Sequence, residues 1–168
     1  MSDLIIGLVK TISEILTATI AVSSFSLLLF SFYFVRKEQL AQAFSLILIC
    51  LTVISSADAL STTTLSYQNQ EIWQKIQWSG ILFLPVTMVH FSMVLLQMTG
   101  KSIRILRGWG LIGMYLLSGV FLVLLWHNRL FSGIKDLGNL GVTMIPSEIS
   151  GAFWIWFILL FIVILSNY

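Results

Sequence analysis

The sequence predicts an all-α membrane protein: a polytopic bundle of five transmembrane helices in a single domain, residues 1–168, with its N-terminus outside and its C-terminus inside. Three observations predict it. Of the 168 residues, 58% are hydrophobic and only 10% are charged, where a soluble domain carries roughly a quarter charged residues; the mean hydropathy is +0.97. The apolar residues gather into runs close to the ~20 needed to cross ~30 Å of hydrocarbon. Between those runs the basic residues collect in two short connections, the pattern that orients a membrane protein.

The first span is expected over about Ile15 to Val35, rich in Leu, Ile and Phe and closed by Arg36-Lys37. Ahead of it, Leu4, Ile5, Leu8, Ile12 and Ile15 recur at helical spacing, which suits either an interfacial helix or an exposed extension of the first span. Met1-Ser2-Asp3 lacks a basic stretch before an apolar one and a small-residue cleavage site, so the first segment is expected to be retained. The second span, about Leu40 to Leu60, contains Cys50 and ends near Asp58; the third, about Trp78 to Met98, contains Pro85 and His90; the fourth covers Trp109 to Trp126. The fifth begins near Ile149 and runs to about Leu165, just long enough to cross, so it is either a short span or one interrupted where the sequence stops. The Asn128 to Glu148 connection, with Gly133, Gly138, Gly141 and Pro146 among apolar residues, is too long for a minimal turn and is expected to fold back on the bundle.

Orientation follows from charge. Arg36 and Lys37 in the first connection and Lys101, Arg104 and Arg107 in the third mark the cytoplasmic side, since short loops on that side carry the excess of Lys and Arg. The other connections, the N-terminal segment and Asp58 hold four basic and six acidic residues over a longer stretch. Trp73, Trp78, Trp109 and Trp126 fall at the expected membrane boundaries, where an indole anchors a helix. The net charge of +2 is too small for a nucleic-acid binder. A single cysteine excludes an intramolecular disulfide and a cysteine-based zinc site.

No catalytic constellation is present: no phosphate-binding glycine loop, no nucleophile elbow and no metal-ligand spacing. His90 is the sharpest intramembrane residue, because an ionisable group there is costly unless it faces protein or water. A hydrogen bond to a neighbouring helix is the ordinary explanation; an axial ligand for haem or a chlorophyll-type pigment is the functional one. Asp58, in the last turn of the second span, is read either as exposed or paired with a group such as Lys75, or as a ligand contact. Pro85 interrupts the helical hydrogen bonds of the third span and is expected to kink it. The Ser and Thr residues of the first two spans offer small polar faces for helix packing.

The stretch from Glu71 to Gly100 resembles the N-terminal seven-transmembrane sensor region of bacterial histidine kinases and related signalling proteins. Asp58, Trp73, Gln77, Trp78, Gly80, Pro85, His90, Phe91, Thr99 and Gly100 stand in the order of that family's pattern, and Ser150-Gly151-Ala152-Phe153-Trp154 stands where the family has Gly-Pro-x-Phe-Trp, with Ala152 in place of the proline. The resemblance covers about residues 15 to 168, the first five of the family's seven helices. It implies a sensory input region of the inner membrane, its ligand received around Asp58, Trp73, Trp78 and the Asn128 to Glu148 loop, with a cytoplasmic effector as partner beside the lipid bilayer. The competing reading is an accessory subunit of a larger membrane complex, its partners other membrane subunits and His90 a pigment or haem ligand. A transporter or channel fits less well, because His90 is the only central ionisable residue and no paired broken helices occur.

Overall fold

The computed structural model describes residues 2–34, 38–63, 67–100, 109–136 and 142–166. Helices α1 (Ser2–Phe34), α2 (Gln39–Thr63), α3 (Tyr67–Met98) and α4 (Trp109–Trp126) are followed by the antiparallel strands β1 (Phe131–Asp136) and β2 (Val142–Pro146) and by α5 (Ser150–Ser166). The protein is thus mostly helical, with a β-hairpin where the sequence promised only a folded-back loop. Among the described residues, four helices are long and apolar enough to span a membrane, within Gly7–Ser31, Gln39–Ser61, Asn69–Met98 and Trp109–Trp126. With 17 residues, α5 measures about 26 Å at ~1.5 Å per residue, short of the hydrocarbon thickness.

Two helices begin earlier than their apolar runs. α1 is continuous from Ser2, so the N-terminal segment extends the first span rather than forming a separate interfacial helix. α3 begins at Tyr67, eleven residues before the expected Trp78. Its first turns, Tyr67-Gln-Asn-Gln-Glu-Ile-Trp-Gln-Lys, are polar but contain no Gly or Pro, and the Glu71–Lys75 ion pair at 2.7 Å joins neighbours one turn apart on that helix. Hydropathy marks where lipid starts, not where a helix does.

α3 is the hub. It packs on α2, which in turn holds α1, while α4, α5 and β2 pack on the rest of its surface. Lipid tails are as apolar as leucine, so close packing and interhelical hydrogen bonds must hold such helices together. Both are visible. A Cβ on Gly80 of α3 would lie 2.7 Å from Ile54 Cγ1 and 3.1 Å from the Cys50 carbonyl oxygen, so only glycine lets α2 come this near. Ser31 of α1 and Ser45 of α2 share a buried hydrogen bond of 2.6 Å. Many other hydroxyls serve their own helix instead: Thr19, Thr52, Ser55 and Ser79 each donate to the carbonyl four residues back.

The hairpin is built from turn chemistry. α4 ends at Trp126, and Asn128, two residues on, has a φ of 56°, which suits the left-handed position that asparagine tolerates; the Arg129 and Leu130 amides return to the Leu124 carbonyl. Gly133, at φ 150°, sits beside the register shift that bends β1. Leu130, Phe131 and Met144 are buried with Leu82, Val86, Phe121 and Phe153 in the main core. The large apolar side chains left outside, among them Phe30, Leu116 and Ile155, form the outer surface of the helices.

Candidate functional site

The sequence offered Asp58, Trp73 and Trp78, with the Asn128 to Glu148 loop, as one ligand-receiving region and His90 as a separate candidate deeper in the third span. The structure distributes them over separate contacts along α3. Asp58 Oδ1 accepts a hydrogen bond of 3.1 Å from Gln77 Nε2, joining α2 to α3. Lys75, expected as a partner of Asp58, pairs with Glu71 on its own helix instead, one turn away, where no chain crossing has to bring the charges together. Trp73 is half-buried one turn before Gln77 on the same helix.

Trp78 follows Gln77 directly, yet the ~100° step of the helix turns it away from α2. Its ring lies 4.5 Å from that of Phe131 on β1, and makes edge contacts with Phe153 at 6.1 Å and Trp154 at 6.2 Å on α5. Phe153, fully buried, also meets Phe121 of α4 at 5.7 Å. Trp78, half-buried, therefore ties α3 to the hairpin and to α5. Trp109 and Trp126 do face outward, 86% and 51% exposed. The base of the hairpin is closed by Ser147, whose hydroxyl donates to the carbonyls of Arg129 and Leu130, and Ser150 at the start of α5 donates to the Ser147 carbonyl at 2.7 Å. Hairpin, α3, α4 and α5 thus meet in one aromatic cluster.

His90 stands about 18 Å farther along α3 than Trp78, at ~1.5 Å per residue. Its Nδ1 and the Tyr115 hydroxyl of α4 are 3.2 Å apart, with the rings edge to face. The imidazole therefore has a protein partner inside the bundle. Tyr115 was not singled out by its sequence position, although it and Ser118 are the only hydroxyl-bearing side chains in the apolar α4. In so apolar a helix, such groups must find partners, and Ser118 does so too, donating to the Leu82 carbonyl at 3.3 Å. α3 remains helical through Pro85, which is buried.

At the end of α3 away from the hairpin, a groove of about 380 Å³ opens between the start of α2 and the end of α3, lined by Glu38, Gln39, Val94, Gln97 and Met98. Arg36, Lys37, Lys101, Arg104 and Arg107, on which the orientation rested, lie outside the described residues. Among the described residues no group of three or more His, Cys, Asp or Glu side chains could hold a metal ion. What the arrangement offers chemically is mechanical linkage: an aromatic cluster at one end, polar contacts between helices, and an open groove at the other end.

Residues 16–167, nearly the whole chain, match the family described as the N-terminal 7TM region of histidine kinase. No curated protein and no solved structure matches the chain.

Proposed function

The chain belongs to the family of N-terminal 7TM regions of histidine kinases, and on that footing we propose that it is a sensory input module of the cytoplasmic membrane that receives its stimulus at the hairpin end. The stimulus is a small or lipidic ligand, or a partner protein, meeting the surface formed by the hairpin, Asp58, Trp73 and Trp78. In this reading the hairpin faces outward and the far ends of α3 and α5 face the cytoplasm and the effector. α5 serves as a fifth span. The module supplies input, and catalysis belongs to the effector.

One observation carries the reading: Phe131 of the hairpin rests on Trp78 of α3, and Trp78 on Phe153 and Trp154 of α5. A stimulus that moves the hairpin repacks the very helices that lead to the far side. It can do so only by its differential affinity for the two packings.

The test joins the chain, as membrane region, to a cytoplasmic histidine kinase module and measures autophosphorylation in membrane vesicles. Trp78→Ala and Asp58→Asn are expected to change output severalfold while the protein still inserts. Unchanged output in both variants would count against this site. A chain that supports no output and instead purifies in fixed ratio with other membrane subunits would mark an accessory subunit.

A further inference from the structure

Two hydrogen bonds between α4 and α3 straddle Pro85. Ser118 Oγ donates to the Leu82 carbonyl before the proline, and the Tyr115 hydroxyl meets His90 Nδ1 after it. Proline has no N–H, so the Ile81 carbonyl one turn earlier receives no hydrogen bond from position 85, and the helix is weakest there. The arms on either side are held differently. The arm nearer the hairpin is fixed to α2 by Asp58–Gln77 and by the close approach at Gly80, and to the hairpin by Trp78. The far arm buries Val86, Val89 and Met93 in the core and has the His90–Tyr115 contact and a ring contact between Phe44 and Phe91 at 5.9 Å, and beyond these the groove of about 380 Å³ separates its end from the start of α2.

The geometry points to a joint in α3 at Pro85, which α4 holds fixed through Tyr115–His90 and Ser118–Leu82, and whose far arm swings toward α2 into the groove when the His90 contact is released. From Pro85 to Met98 the arm is about 20 Å long at ~1.5 Å per residue, so a turn of about 10° at the joint carries its end about 3 Å. The groove has room for that movement, whereas the glycine-close packing around Gly80 leaves the other arm none. As the inward step of a signal the joint rests on the sensory reading above, but its mechanics do not.

The experiment places spin labels at Gln39→Cys and Gln97→Cys, both on the groove, in a Cys50→Ala chain in lipid nanodiscs. Tyr115→Phe, which keeps the ring and removes the hydroxyl, is expected to shorten the mean distance by about 3 Å. His90→Leu should do the same, His90→Gln, which can still bond Tyr115, should not, and a control pair at Leu60→Cys and Ile72→Cys should stay put. Adding Pro85→Ala to Tyr115→Phe should restore the original distance. An unchanged or longer distance in both Tyr115→Phe and His90→Leu overturns the joint, as does a shift that survives Pro85→Ala. The distance is read without stimulus or kinase, so a shift seen alongside an unresponsive kinase would sink the sensory reading and leave the joint standing.

Discussion

Replacing Gly80 with alanine puts a methyl group into the narrowest part of the α2–α3 contact. The new Cβ meets Ile54 Cγ1 at 2.7 Å and the Cys50 carbonyl oxygen at 3.1 Å. The isoleucine can turn aside, but the carbonyl belongs to helix backbone and moves only if α2 moves. Overpacking of this kind costs ~1–3 kcal/mol, partly offset by the better helix propensity of alanine, up to ~1 kcal/mol. Gly113 on α4 isolates the second effect, since a Cβ there meets nothing within 4 Å. In reversible SDS unfolding of the purified chain in mixed micelles, Gly113→Ala should be neutral or slightly stabilising. Gly80→Ala should be less stable than Gly113→Ala by about 2 kcal/mol, and Gly80→Val less stable still. Ile54→Ala should recover part of the loss in a double-mutant cycle, because it removes the side-chain half of the clash. If Gly80→Ala behaves like Gly113→Ala, the two helices do not touch at Gly80 and the placement of Asp58 beside Gln77 loses its support.

Other consequences are as concrete. Phe131→Ala removes the ring that seats the hairpin on Trp78 and should cost ~3 kcal/mol or more, with faster amide hydrogen exchange in β1 and β2 but not in α2; uniform exchange across the chain would show that the hairpin is not seated there. Asp58→Leu deprives the Gln77 amide of its acceptor and should cost ~1–3 kcal/mol, while Asp58→Asn, which keeps an acceptor oxygen, should cost less; equal losses in SDS unfolding would mean the hydrogen bond contributes nothing. Lys75→Ala breaks only an ion pair within one helix and should change stability by no more than ~0.5 kcal/mol. A large loss would restore Lys75 as a partner of Asp58.

Much of the architecture was legible because one driving force, the transfer of apolar runs into hydrocarbon, selects membrane helices above all others. Apolar run length located both ends of α4 and the start of α2 to within a residue, while α2 runs three residues past its expected end. It was blind to the polar first turns of α3 and to the N-terminal turns of α1, which are helical without being apolar throughout. The hairpin was signalled by β-branched Val142, Thr143 and Ile145 after a glycine-rich stretch, but in so hydrophobic a chain that signal reads as a loop. At the site, sequence order placed Trp73, Gln77 and Trp78 side by side, whereas the turn of the helix sends Gln77 to α2 and Trp78 to α5. Which residue meets Asp58 or His90 depends on how neighbouring helices cross. No spacing along a single helix encodes that. A phenol in a largely apolar span must find a partner, but the position of Tyr115 does not name His90 as that partner.

Signalling in the proposed direction requires above all that the hairpin be the receiving, external end of the bundle. Single cysteines at Ser132 and Gln97 in a Cys50→Ala chain, labelled in intact cells with a membrane-impermeant maleimide, test this directly. Both native side chains are exposed, one on β1 and one at the far end of α3. An external hairpin predicts labelling at Ser132→Cys in intact cells and at Gln97→Cys only after permeabilisation. Labelling in the opposite sense would put the hairpin in the cytoplasm and contradict the proposed direction of signalling.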